Sequence, residues 1–538
     1  MLTATNTIGQ HRFLRRRFPA PSAALFCLCA VWCAGWFFHS RGYWEDDAWI
    51  HLEFARSVSR GLGFAFNGRI VAGDSAPLWV FLLVAAHAVV PDWLAAGKLL
   101  TVLAAFFGLA GIYAFARRLA QSLPADIARI FPAAILFLTV ANPYTCYWIF
   151  SGMEPIAAAG LACWVVVMAT RQRSSVPSFL LACLLAGIGP LLRPEMFFLA
   201  MLLALPLFGQ WRRLNVSPEV RLLCAVTGLV LLAGPLLAWS LYSLHTFGHL
   251  LPNTNAAKRA GPNESVPRRL VAIYLTGLPL ILGGVVAGFA YLIRHSSAVA
   301  SSLHDAAASA IANDRAGASP RSPACALALS VAGWMFILWT LVSTLFYCAN
   351  HTYVQTRYIL LTAPGVSAVV LALVLRRWPV SGRLLYCAAL CQSLAVSSLI
   401  VVPLVRSKAA NCRAVSQLAL LMRNELPHDA PVAVYSIGQI AFESEHPIVD
   451  TGGITRPGAI PYLNASLDSM AVWAQGEGAE YYIESQRPLP NAVSLFTKEM
   501  PYVGWTVHRS QYAETVPVSI WRLPAPQRPT ATVASLSP

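Results

Sequence analysis

Asp46 and Asp47, preceded by Glu45, form a run of three acids directly after the first long apolar stretch of the chain. Only 12% of the 538 residues are charged, and acids at a membrane boundary are costly unless they are solvated or used. A carboxylate at the head of a helix can act as general base toward a hydroxyl, and a nearby Lys or Arg can hold a departing phosphate. Glu154, Arg193, Glu195, Asn253, Lys258 and Arg357 offer such groups, each in a short polar stretch between apolar runs. Each also has a plainer reading. Arg193 before Pro194 marks a helix boundary, Glu154 complements a helix dipole, Lys258 is a solvated loop charge, and Arg357 snorkels. His51 and His351 read as surface or packing residues. No His, Asp and Glu set has metal-ligand spacing, no cofactor is indicated, and a divalent metal is left open.

The elements that must position these groups are membrane helices. With 57% hydrophobic residues, the chain cannot cover a water-soluble globule with polar groups, and it reads as a polytopic α-helical membrane protein. Of its 39 basic and 24 acidic residues, 29 and 13 precede residue 405. The excess therefore reports topology and contact with anionic membrane lipids, not a nucleic-acid groove. His11, Arg12 and Arg15 to Arg17 place the N-terminus in the cytoplasm, and the apolar run 20–38, with no small-residue cleavage site after it, reads as a retained helix. Ala48, Ile50, Leu52, Phe54, Ala55 and Val58 fall at helical spacing as in a short interfacial helix that Gly61 and Gly63 end. Pro77 to Val90 is short for a span and reads as re-entrant.

On that basis the runs near 97–116, 130–149, 155–170, the pair around Arg193-Pro194-Glu195, 220–242, 270–293, 324–347, 358–375 and 384–404 complete about eleven helices. Arg117-Arg118, Arg171 with Arg173, Arg212-Arg213 and Arg376-Arg377 all then face the cytoplasm, and the segment 295–323 is a cytoplasmic linker. Every polar group named above falls on the opposite face, where the chemistry is that of glycosyl transfer from a lipid phosphate. Cys146, Cys348 and Cys412 lie near that face and are left unpaired, while most of the 12 cysteines are core filler. The organisation expected is a transmembrane catalytic domain over 1–404, a small extracytoplasmic α/β domain over 405–525, with strands at 431–435 and 447–450 and a helical turn at 439–444, and a disordered tail over 526–538.

Several motifs occur in order along the membrane part: Asp46-Asp47-Ala48-Trp49-Ile50 with Phe54-Ala55-Arg56, Gly61-Leu62-Gly63-Phe64-Ala65-Phe66-Asn67, Pro77-Leu78-Trp79, Ser151-Gly152-Met153-Glu154, Leu192-Arg193-Pro194-Glu195, Phe247-Gly248 with Leu251-Pro252-Asn253-Thr254 and Lys258, and Arg357-Tyr358. With them the chain resembles the GT-C superfamily of polytopic glycosyltransferases, most closely the branch of cell-wall terminal arabinofuranosyltransferases. The resemblance implies a polyprenyl-phosphate sugar donor, an extracytoplasmic active site in the bacterial inner membrane, inversion at the anomeric carbon, and a glycan or glycolipid acceptor of the cell envelope. It also implies an aspartate base in the first outer loop, by motif position Asp47 with Asp46 as the close alternative, and donor contacts from Arg193, Lys258 and Arg357. The chain departs from the family at Glu53, where members often carry Arg, and at Asn255-Ala256, where they carry a bulky aromatic pair, so the sugar is not carried over. The rival reading is a transporter or flippase of lipid-linked sugars, which would place polar residues at mid-membrane depth and show a repeat of the transporter kind.

Overall fold

The computed structural model describes residues 20–171, 174–260, 265–277, 280, 323–484, 489, 491–501 and 509–524. The basic N-terminal cluster, Arg173, much of the expected span 270–293, nearly all of the linker 295–323 and the tail 526–538 lie outside these residues.

Apolar runs fold as helices because lipid offers the backbone no hydrogen-bond partners. After α1 (Ala20–His39), the chain turns through Tyr43 and Trp44 into α2 (Asp46–Ser59), which carries the acids at its first turn. Gly61 and Gly63, with φ of 77° and 71°, end it in a conformation that other residues rarely adopt. A two-residue hairpin, β1 (Ala65–Phe66) with β2 (Arg69–Ile70), leads to α3 (Pro77–Val89) of 13 residues. Asp92 caps α4 (Trp93–Ala120) by accepting from the Ala95 N–H at 2.7 Å. α5 (Ala125–Ala141) and α6 (Pro143–Ile149) meet at a 72° bend, where Asn142 turns the chain and caps α6. α7 (Pro155–Ala169) then packs on α4 with backbone nearly touching backbone. A Cβ at Gly108 would stand 2.3 Å from the Ile156 carbonyl oxygen, and one at Gly111 2.4 Å from that of Gly160. Small residues let membrane helices approach in this way.

The helices α8 (Val176–Leu192), α9 (Met196–Arg212), α10 (Pro218–Phe247), α11 (Asn253–Ala260), α12 (Val266–Gly277), α13 (Pro323–Ala349), α14 (Thr356–Leu360), α15 (Ala363–Arg377) and α16 (Pro379–Val396) complete the membrane part. Among the described residues five helices are long and apolar enough to cross a membrane, or six if the bent pair is one span. Helices α7, α8 and α9 have only 15, 17 and 17 residues, because Pro and Arg interrupt their apolar runs, whereas a span takes about 20. The expected total of about eleven therefore depends on these three helices and the 15-residue α15 crossing, and on the span 270–293, which lies largely outside the described residues.

The last expected span, 384–404, does not stop there. A π-helical turn at Ser397–Val401 joins α16 to α17 (Val402–Glu425), so the helix runs on to residue 425. Its later turns are too polar for a lipid core and pack instead under a five-stranded sheet. Strands β3 (Val432–Val434), β4 (Ile448–Asp450), β5 (Tyr481–Glu484), β6 (Val493–Pro501) and β7 (Thr515–Arg522) lie in the order β4-β3-β5-β7-β6. β3 runs parallel to β4 and β5, and the other two pairings are antiparallel. Between β3 and β4, α18 (Ile437–Ser444) lies across α2, and α19 (Leu467–Gly476) precedes β5.

Candidate active site

The three consecutive acids of the first outer loop face three different partners. Glu45 receives Lys408 of α17 at 2.9 and 3.0 Å, together with the hydroxyls of Tyr43 at 2.8 Å and Tyr147 at 2.6 Å. Burial opposes its charge, yet Lys408 and the two hydroxyls hold the carboxyl below the usual carboxylate range. Glu45 is thus spent on bracing the loop to α17. Asp46 sits at the start of α18 and accepts from the N–H groups of Gly438 at 3.3 Å and Gln439 at 3.2 Å, as an N-terminal carboxylate does for a helix. Burial and the neighbouring Asp47 charge push its carboxyl up to about 7, against those two donors.

Asp47 is paired with Arg357 of α14. Burial would raise its carboxyl, but Arg357 and then Lys258 hold it well below the usual range. Its side chain keeps 35% of its surface open, whereas that of Arg357 keeps 2%. A carboxylate that is ionised, fixed on one side and open on the other can meet a substrate hydroxyl.

Beside this pair runs a buried chain of charges. Asp74 accepts from the Ala76 N–H at 2.6 Å and meets His51 Nδ1 at 2.5 Å, while His51 Nε2 stands 3.6 Å from Glu154 Oε2. Glu154 Oε1 accepts from Arg193 at 2.8 Å, and Arg193 reaches Glu195 with two further N–H groups, at 3.1 and 2.8 Å. Tyr347 donates to Glu195 at 2.8 Å, and the Trp339 indole donates to the Glu195 carbonyl at 2.8 Å. Burial opposes the His51 charge, but Asp74 first, then Glu154 and Asp47, raise its pKa above the ordinary value. The two chains meet at Tyr358. Arg193, Lys258 and Arg357 lie 5.0, 5.3 and 5.4 Å from its ring centroid, a distance at which a ring face attracts cations.

Six of the eight residues singled out from sequence are thus neighbours through direct contacts or through Tyr358, while Asp46, next to Asp47 in the chain, turns its side chain to α18. Asn253 is buried at the start of α11, and its N–H donates to the Ala72 carbonyl at 2.9 Å, beside the Asp74 loop. His51, read from sequence as a surface or packing residue, is instead buried between two carboxylates. Asp74 is not among the residues the sequence singles out, although it is a further acid in the same loop, placed before Pro77 where an Asx turn would start a helix. Glu53 pairs with Arg56 one turn on. Among the described residues no three His, Cys, Asp or Glu side chains are grouped as metal ligands, and the described cysteines, Cys146, Cys348 and Cys412 included, are free thiols.

Residues 405–530 match a family described as a domain of unknown function (DUF8728). No curated protein matches the chain. Among solved structures, the chain is similar to ArnT from Cupriavidus metallidurans bound to undecaprenyl phosphate, with 14% identity over 92% of this chain and 97% of that one and a TM-score of 0.48. It is also similar to the Archaeoglobus fulgidus oligosaccharyltransferase in the apo form, with 11% identity over 86% and 69% of the two chains and a TM-score of 0.49.

Proposed function

We propose that this protein is a membrane glycosyltransferase that moves one sugar from a polyprenyl phosphate to a hydroxyl of a cell-envelope glycan or glycolipid. The observation that carries the reading is the half-open Asp47 carboxylate set beside three cations gathered on Tyr358. Asp47 takes the proton of the acceptor hydroxyl, that oxygen attacks the anomeric carbon from the face opposite the phosphate, and the carbon–oxygen bond to phosphate breaks. Polyprenyl phosphate leaves with the electron pair, its charge met by Lys258 and Arg357. A carboxylate held low by Arg357 is a weak base, but an arriving phosphate competes for the same guanidinium, so donor binding itself loosens the pair and raises the basicity of Asp47. Arg193 has all three nitrogens engaged by Glu154 and Glu195, so its part is to hold the wall of the site and lend it charge.

The reading carries a topology of about eleven crossings, with the site and the C-terminal α/β unit on the extracytoplasmic side of the bacterial inner membrane. The test is to incubate purified protein in vesicles with polyprenyl-phosphate-linked sugars and envelope glycolipid, and to follow release of polyprenyl phosphate. Release coupled to a larger acceptor supports the reading. Absence of coupled release across a panel of such donors, in protein shown to be folded, overturns it.

A further inference from the structure

A furrow of about 1260 Å³ lies outside the site, walled by α1, α4, α5 and α7. Its walls are almost wholly apolar, including Phe37, Phe106, Leu109 and Tyr113, and Phe106 leaves 70% of its surface uncovered. The residues of α4 that line it run from Val102 to Arg118, a length of about 24 Å at the rise of an α-helix.

The two ends differ. α4 and α7 both start at the candidate site: Lys98 near the beginning of α4 donates to the Tyr43 and Phe150 carbonyls, and α7 begins just after Glu154. At that end the furrow is bounded by Phe37, Phe38, Ile149 and Phe150, and the nearby Arg41 lies over the Phe38 ring at 4.6 Å without lining the furrow. At the other end, toward the opposite membrane face, Arg117, Arg118 and Arg171 line the mouth. Arg118 is tied to the Gln121 side chain and the Thr170 carbonyl. Arg117 and Arg171 are exposed and form no ion pair with the described residues. A cationic mouth on a long apolar furrow is complementary to a molecule with an anionic head and a hydrocarbon tail. The placement of the cations selects between two such molecules. The donor proposed above must present its phosphate at Lys258 and Arg357, at the far end, so its head cannot also sit at Arg117.

We infer that the furrow is a binding site for an anionic glycerophospholipid of the leaflet opposite the candidate site, its phosphodiester on Arg117 and Arg171 and an acyl chain laid along α1 and α4. Basic pockets between membrane helices hold acidic headgroups in this manner. Such a lipid fixes the spacing of α1 and α4, and α2 with Asp47 lies in the stretch of chain between them.

The full chain, purified in mild detergent and stripped of lipid, is mixed with phosphatidylglycerol or phosphatidylcholine of identical acyl chains, and bound lipid is counted by native mass spectrometry. Phosphatidylglycerol is expected to bind in preference. The double variant Arg117→Ala with Arg171→Ala is expected to lose about tenfold in affinity for it, the double Lys variant to keep it, and Ala110→Trp, which fills the furrow, to lose it with the arginines intact. Melting of each variant in detergent shows whether it is folded. Equal binding of the two lipids, or unchanged phosphatidylglycerol binding in the Ala pair or in Ala110→Trp, would overturn the inference, as would displacement of phosphatidylglycerol from this site by polyprenyl phosphate. None of these outcomes depends on transfer activity.

Discussion

At the scale of residues, the site divides its cations by what they already hold. Arg193 is buried with both its carboxylate partners buried as well, and removing one member of such a set strands the others at a cost of about 3–5 kcal/mol. Arg193→Ala should therefore lower thermal stability in detergent sharply, and a melting point within a degree or two of wild type would deny it the bracing part. Lys258 is only half-buried and makes no ion pair among the described residues. Lys258→Ala should melt like wild type and raise the apparent donor KM about tenfold, the worth of a charge-assisted hydrogen bond; an unchanged donor titration would assign it to the surface. His51 gives a pH signature. Its native pKa lies above the ordinary value of 6.5 because Asp74 and Glu154 outweigh burial, so the stability it contributes is fully present below that value and is lost as pH rises through the native pKa. The melting-point gap between wild type and His51→Gln should be widest in mild acid and close on alkalinisation. A gap that widens with pH would mean that the imidazole is buried neutral. The individual acids and cations were legible in the sequence because charge is rare in this chain. The parts of Glu45 and Asp46 were not, since Lys408 and Gly438 lie more than 360 residues away along the chain and no local pattern links them.

At the scale of elements, α2 is the member on which the others converge. Its first turn presents Asp46 to α18 and Asp47 to α14, while His51, one turn later, faces Asp74 and Glu154. α18 lies so close that a Cβ at Gly438 would stand 2.2 Å from the Asp46 carbonyl oxygen. Gly438→Ala must push the helices apart at a cost of about 1–3 kcal/mol, and it should speed limited proteolysis near residue 426 and depress transfer together; full activity with wild-type protease resistance would show that the contact is dispensable. The α2 helix itself was readable from its 3.6-residue spacing and its closing glycines. The run-on of α17 to Glu425 was not, because its change from lipid-facing to sheet-facing surface leaves helical periodicity unbroken and shows only as a gradual gain of polar residues.

At the scale of the whole molecule, the membrane helices bring polar loops together under a sheet that grips them from the C-terminal side. Reporter fusions after residues 118, 213 and 538 should read cytoplasmic, cytoplasmic and extracytoplasmic, in keeping with the Arg clusters that end α4 and α9. A cytoplasmic C-terminus would put the α/β unit and the site on the wrong side for a polyprenyl-phosphate donor. Whether Asp47 is the base is decided by transfer assays on Asp47→Asn in protein whose folding and donor binding are verified separately. Asn keeps the size of Asp and loses its charge and proton acceptance. General-base catalysis contributes about 10² to 10⁴ in rate, so transfer should fall by at least that lower figure while donor binding survives. Asp46→Asn, whose side chain can still accept from α18, should fall less. Wild-type transfer by Asp47→Asn would exclude Asp47 as the base and leave the acids of this loop as braces alone.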